Sequence, residues 1–79
     1  MEETKVYDYV EFNDALALET LRNVMEILRK RGYNPINQIV GYFMSRDPGY
    51  ITSYEGARSM MMQFDRSKLL EVLVKEVVK

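Results

Sequence analysis

The strongest periodic pattern in the chain lies between Asn13 and Arg31, and it predicts a helix there. Its apolar residues are three or four positions apart, as on one face of a helix with 3.6 residues per turn. Asn13 or Asp14 is placed to cap the beginning, and Gly32 to end the helix in a left-handed conformation. The apolar stripe consists of Leu18, Leu21, Met25 and Leu28, widened by Val24 and Ile27.

A second, shorter helix is predicted within "GYNPINQIVGYFMSRDPGYI", residues 32–51. Asn34 can cap it and Pro35 suits its first position, where the missing amide hydrogen would have had no partner. The apolar pattern continues to about Ser45. Gly41 inside this helix weakens it relative to alanine, which indicates a close backbone approach. The Asp-Pro-Gly sequence at 47–49 predicts a tight turn in which the aspartate bonds its own backbone.

Two further helices are predicted in the last third of the chain. Thr52 and Glu55 have capping-box spacing and would open a third helix that runs to about Phe64. Asp65 would cap a fourth helix from Arg66 to the end. Short connections between four amphipathic helices predict an all-α fold, a small four-helix bundle.

Residues 1–12 lack a helical period. The segment "KVYDYVEF" is rich in β-branched and aromatic residues, which favour a strand when a partner strand is available. Without a partner it would be mobile. We therefore expect a flexible or strand-like N-terminal tail at 1–12, followed by a helical domain at 13–79.

Size and composition predict a homodimer. A chain of 79 residues forms one domain that is close to the lower limit for a stable core, and its 47% hydrophobic residues include no cysteine for a disulfide. Self-association is the direct way to bury more apolar area. Three consecutive methionines, Met60, Met61 and Met62, point around most of a helix, so the predicted dimer seam uses them together with apolar positions of the last helix.

The sequence does not favour an enzyme. It contains no histidine or cysteine, and its carboxylates are scattered singly along the predicted helices. No phosphate-binding glycine loop, HExxH motif or carboxylate pair is present, so we expect no catalytic residues, no cofactor and no metal. Apolar stretches are shorter than the roughly 20 residues that span a bilayer, and the start "MEETK" lacks the basic region of a signal peptide, so a cytoplasmic protein is expected.

Charge is balanced overall but unevenly distributed. The net charge is −1, so the chain as a whole has no strong electrostatic attraction to nucleic acid or lipid. Residues 1–14 carry five acids against Lys5, whereas residues 15–79 carry seven acids against ten bases. An acidic beginning thus precedes a mildly basic body.

Several motifs resemble one known family. "GYNPINQIVGY" at 32–42, "DPGYI" at 47–51, "AR" at 57–58 and "EVLVK" at 71–75 are similar to sequences of the IreB regulatory phosphoprotein family of Gram-positive bacteria. The likeness runs from about residue 18 to the end. Differences from the family pattern include the absence of a second N-terminal threonine, Arg46 in place of a small residue, and Met62-Gln63 in place of a basic pair.

The resemblance implies a small cytoplasmic helical homodimer that regulates cell-envelope stress responses, including cephalosporin resistance. It implies phosphorylation on an N-terminal threonine by a membrane-anchored Ser/Thr kinase with extracellular PASTA repeats, reversed by a cognate phosphatase. Thr4 in "EETKVY" is the threonine that matches, with Thr20 second. The added charge, about −1.5 to −2, would dock on Arg29, Lys30 and Arg31 or release the tail from an acidic partner.

Two other functions remain open from the residues alone. One is a constitutive adaptor whose tail strand pairs with the sheet edge of another protein. The other is a nucleic-acid accessory protein, which is weakly supported because the predicted third helix carries only Arg58 as a strong base or phosphate contact.

Overall fold

The structure, a computed structural model, describes residues 2–79, with side chains described from Tyr9 onward. These residues form four α-helices and two short 3₁₀ helices, and none of them lies in a strand. The predicted all-α fold is confirmed. The four helices are α1 (Glu2–Arg31), α2 (Pro35–Ser45), α3 (Ala57–Met62) and α4 (Arg66–Val77), with the 3₁₀ helices at Pro48–Tyr50 and Tyr54–Gly56.

Helix α1 is much longer than its periodic stripe. It begins at Glu2, so the predicted start at Asn13 or Asp14 is wrong, and so is the strand-like form of the tail. No proline or glycine precedes Gly32, and the described elements offer no sheet edge with which a strand could pair. A helix forms the hydrogen bonds of its backbone N–H and C=O groups within itself. Helix α1 therefore extends toward the N-terminus beyond the periodic stripe. The division into a flexible tail at 1–12 and a domain at 13–79 stays a prediction.

The link from α1 to α2 follows the predicted chemistry. Gly32 has φ +92°, and the amides of Gly32 and Tyr33 bond the carbonyls of Arg29 and Leu28, at 3.1 and 3.0 Å. These two backbone hydrogen bonds form a Schellman motif, which provides partners for carbonyl groups at the end of α1. The Asn34 side chain accepts from the Asn37 amide at 3.1 Å, which confirms the cap. A link of three residues makes α1 and α2 antiparallel neighbours.

The chain after α2 reverses at the predicted Asp-Pro-Gly turn. Asp47 Oδ1 accepts from the Gly49 amide at 2.9 Å, as expected. This turn places the Tyr50 ring directly against Gly41, so a Cβ atom at Gly41 would lie 1.9 Å from a ring carbon. The close approach predicted at Gly41 is thus present, but it is made by a side chain rather than by backbone.

The third helix starts later than predicted. Thr52 Oγ1 accepts from the Tyr54 amide at 3.2 Å instead of capping through Glu55. Glu55 and Gly56 have positive φ values, 50° and 77°, which break the helical path, and α3 therefore begins only at Ala57. The Asp65 side chain makes no capping bond, although Asp65 occupies the N-cap position of α4.

The hydrophobic core lies along the second half of α1, against which α2, α3 and α4 all pack. The structure measures 46 × 24 × 22 Å, and its long dimension matches a 30-residue helix of about 45 Å. None of the helices in the described part combines the length and the apolar character needed to cross a bilayer. The buried apolar side chains are Ala17, Leu21, Val24, Leu28, Ile39, Tyr42, Ile51, Ala57, Met61, Leu69 and Val72.

Candidate regulatory site

The three threonines of the chain occupy different environments. Thr4 lies in the first turn of α1, and its side chain falls outside the described part of the structure. Thr20 is 9% exposed and lies in the core. Thr52 is part of a turn through its bond with the Tyr54 amide. A kinase would have to unfold the body of the protein to reach Thr20.

The predicted phosphate-docking residues form the last turn of α1. Arg29 is engaged by Glu26, to which its guanidinium donates two hydrogen bonds, one of 3.0 Å from Nε. The bonds from Arg29 lower the pKa of the Glu26 carboxyl below its ordinary value. The Arg31 guanidinium lies 4.7 Å from the ring centroid of Tyr54. Among side chains from Tyr9 onward, Lys30 and Arg31 form no ion pair.

Within one chain, these cations lie far from Thr4 when α1 is a continuous helix. Residues 4 and 29 belong to one continuous helix, and a rise of 1.5 Å per residue separates them by about 37 Å. Docking within one chain would therefore require the beginning of α1 to unwind and fold back. The docking of a phosphate on Arg29, Lys30 and Arg31 stays a prediction.

A charged cluster joins the first half of α1 to α4. The Asp14 carboxylate accepts from Lys68 and Lys75, each at 2.7 Å, and Glu71 lies 2.9 Å from Lys75. The bonds from Lys68 and then Lys75 lower the pKa of Asp14. Bonds to Asp14 and Glu71 raise the pKa of Lys75. From the sequence, Asp14 was one of two candidates for a helix cap, and this cluster was not predicted, although the spacing of residues 68, 71 and 75 places them on one face of α4.

Beside this cluster lies an open groove of about 450 Å³ between the first half of α1 and α4. Its apolar lining includes Val10, Leu18 and Val72, and Lys75 and Lys79 lie at its edge. Across the described residues, no three acidic, histidine or cysteine side chains come together as metal ligands would. The groove is thus lined by apolar side chains and bordered by charged ones.

The three methionines of the predicted seam are in three different environments. Met61 is completely buried in the core of its own chain, and its part in a dimer seam stays a prediction. Met60 is partly buried and packs against that core. Met62 is 56% exposed. The last helix also exposes apolar side chains, at Leu70, Val74, Val77 and Val78.

One protein family matches the part of the chain that contains all of these features. The model of the family described as IreB regulatory phosphoprotein matches residues 2–79. The chain belongs to the IreB regulatory phosphoprotein family. The resemblance seen from residue 18 onward thereby extends through the first half of α1 and includes Thr4.

The stretch that carries the IreB resemblance has two faces in the structure. Ile39 and Tyr42 of α2 are buried in the core, and the Arg66 guanidinium lies 3.9 Å from the ring centroid of Tyr42. On the other face, Ile36, Val40 and Met44 are 65, 54 and 80% exposed. These three residues, spaced by four, form an apolar stripe on the surface, which we call the α2 stripe.

A second exposed stripe lies on the first half of α1. Tyr9 and Phe12 are 68 and 66% exposed, and Leu16 is 43% exposed. Their spacing of three and four places them on one side of the helix, which we call the α1 stripe. Neither stripe was expected from the sequence. Tyr9 and Phe12 lie in the segment that was predicted to be a non-helical tail, and the apolar residues of α2 were interpreted as one continuous pattern.

Proposed function

We propose that this protein is a non-enzymatic regulator in cell-envelope stress signalling, switched by phosphorylation of Thr4. The enzymes that act on it are a membrane Ser/Thr kinase of the PASTA type and a cognate phosphatase. The protein works as a cytoplasmic homodimer. The observation that carries the proposal is the match of the whole described chain to a family of regulatory phosphoproteins.

The choice of Thr4 is supported by elimination among the three threonines. Thr20 is in the core and Thr52 is bonded within a turn, whereas Thr4 is in the first turn of a helix. Kinases bind their acceptor in an extended conformation, and helix ends open locally at a small fraction of the global unfolding free energy. Opening the first turn of α1 breaks none of the core contacts that begin at Ala17.

A phosphate on Thr4 would act through charge. It adds about −1.5 to −2 near the positive end of the helix dipole, which favours it. It also adds to Glu2, Glu3 and Asp8 in the same segment. The modified segment would therefore attract a cationic surface more strongly than before, and the fold of the body would stay the same.

Phosphorylation with the purified cognate kinase tests this function. The wild-type protein and Thr4→Ser should be labelled, because a Ser/Thr kinase accepts either hydroxyl. Thr4→Ala should lose the label, while Thr52→Ala, a matched control at another threonine, should retain it. Labelling of Thr4→Ala to the wild-type extent would contradict the proposed site.

A constitutive adaptor is the second candidate, and the two exposed apolar stripes favour it. Exposed apolar stripes of this kind mark protein interaction surfaces. An adaptor would bind its partner equally well with Thr4 or Ala at position 4 and in the presence or absence of the kinase. The regulator would bind differently in the two phosphorylation states.

A further inference from the structure

We propose that the two stripes are each other's binding partners across two copies of this chain: the α1 stripe of one copy docks on the α2 stripe of the other, and the reverse. This contact would place Thr4 beside Arg29, Lys30 and Arg31 of the second copy. The regulatory part of this inference rests on the proposed function, because the contact between Thr4 and these cations can regulate the dimer only if Thr4 is phosphorylated.

The charges around the two stripes are opposite. Glu2, Glu3 and Asp8 precede the α1 stripe and Glu11 lies within its span, with Lys5 as the one base before it. Helix α2 contains no charged residue, and cations lie at both of its ends, in the last turn of α1 and at Arg46. In the part of the chain with described side chains, Lys30, Arg31 and Arg46 form no ion pair. Charge complementarity of this kind steers association and fixes orientation.

The exposed valines of α4 lack this complementarity. Beside Val74 and Val77, Lys75 bonds Asp14 and Glu71, and Lys79 bonds Glu76 at 2.8 Å. Those charges are satisfied within the chain. The stripes on α1 and α2 are therefore the better candidates for a second copy than the last helix, which the sequence favoured.

The lengths of the two stripes agree. Tyr9 to Leu16 spans about 10 Å along the helix axis and Ile36 to Met44 about 12 Å, at 1.5 Å per residue. If Tyr9 lies beside Ile36 and Leu16 beside Met44 of the second copy, the two helices run in the same direction. Because α2 is antiparallel to its own α1, the two α1 helices are then antiparallel, as a twofold axis allows, and the same contact forms twice.

This register determines where Thr4 lies. Thr4 precedes Tyr9 by about 7.5 Å of helix, so it extends past the start of α2 toward the last turn of α1 in the second copy. The cations that are about 37 Å away within one chain thus come close across the dimer. Six exposed apolar side chains per copy supply an area on the order of the ~800 Å² per partner of a standard interface.

Sedimentation velocity at micromolar concentration tests the contact. The wild-type mass should be about twice the chain mass of 9.3 kDa. Phe12→Asp and Val40→Asp each damage both copies of the contact and should weaken the dimer by at least about a hundredfold. Val74→Asp, the same substitution at a valine of similar exposure, should leave the dimer intact. Circular dichroism confirms folding, and Met44→Asp replaces Val40→Asp if that variant loses helicity.

Mixing the two variants gives the sharpest result. A dimer of Phe12→Asp with Val40→Asp has one undamaged contact and one that carries both changes, so the mixture should recover dimers that neither variant forms alone. If Val40→Asp dissociates while Phe12→Asp stays dimeric, the α2 stripes pair with each other and the proposal is overturned. Dimers of both single variants would also overturn it, since another surface would then be the seam.

The effect of phosphorylation on the dimer is the second test of this inference. Stoichiometric phosphorylation of Thr4 should tighten the wild-type dimer several-fold at low salt, and the gain should disappear near 1 M salt, where the Debye length is about 3 Å. Lys30→Gln/Arg31→Gln should remove this gain. If Thr4 is labelled but the dimer is unchanged, this inference fails and the proposed function stands. If Thr4 is not labelled at all, the proposed function fails.

Discussion

The two halves of α1 belong to one helix but are stabilised in different ways. In the second half, Leu21 is 1% exposed, and Val24 and Leu28 are completely buried by the other three helices. In the first half, Leu16 is 43% exposed and Phe12 66%. Burial fixes the second half, whereas the first depends on helix propensity and on the lysines that hold Asp14. A helix can therefore extend well beyond the core that stabilises it, and the extension is then available for binding.

Leucine truncation should show the largest difference between the halves. Leu21→Ala removes a buried side chain and should cost about 2–5 kcal/mol of unfolding free energy. Leu16→Ala, the matched change five positions earlier, should cost only about 1 kcal/mol, because nearly half of this residue is already in water. Urea unfolding, at a protein concentration at which sedimentation shows a monomer, measures both. Equal costs would show that the first half is buried as deeply as the second.

A smaller effect on stability is expected at Gly41, where the sign of the effect of Gly41→Ala depends on whether the Tyr50 ring is present. Gly41→Ala should cost about 1 kcal/mol, because the new Cβ displaces the Tyr50 ring. In a Tyr50→Ala background the same substitution should stabilise by up to about 1 kcal/mol through helix propensity. Thermal unfolding of the four proteins in this double-mutant cycle gives the interaction term. Additive effects would mean that the ring does not restrict position 41.

The smallest effect belongs to the cluster that holds the first half to α4. Lys68 and Lys75 depress the pKa of Asp14 in the folded protein below its ordinary value of 3.8. The stabilisation is therefore complete above that value and is lost as pH falls through the folded pKa. Asp14→Asn should cost about 1 kcal/mol at pH 7, in the range for a partly exposed charged bond, and less at pH 2.

The control for this cluster is Asp65→Asn, since the Asp65 side chain makes no capping bond. It should change stability by less than about 0.5 kcal/mol at either pH. Urea unfolding from pH 2 to 7 measures both variants. A constant difference between wild type and Asp14→Asn over this range would contradict the assignment of the pH dependence to Asp14.

Local chemistry made part of the fold predictable. The Asn34 cap, the Gly32 helix end and the Asp47 turn depend on residues within a few positions of each other, and all three are confirmed. The start of α1 was not predictable in this way, because nothing local distinguishes an exposed helix from an unpaired strand. The late start of α3 depends on positive φ values at Glu55 and Gly56, and glutamate gives no local signal for that conformation.

The candidate site was predictable only in its residue types. The family resemblance suggested Thr4, and the distribution of charge suggested the cations at the end of α1; both stay predictions. The distance between them depends on whether α1 is continuous, which the pattern of residues 1–12 did not indicate. The pairing of Asp14 with Lys68 and Lys75 joins residues more than fifty positions apart, and single-sequence reasoning has no access to such contacts.

The central claim is that Thr4 carries a regulatory phosphate, and intact-mass spectrometry of the protein isolated from its native cell tests it most directly. Under cell-envelope stress the protein should gain the mass of one phosphoryl group, and fragmentation should place it within residues 1–12 at Thr4. Chain from unstressed cells, or from cells that lack the kinase, should have the unmodified mass. An unmodified chain under stress, or a phosphate confined to Thr20 or Thr52, would contradict the account.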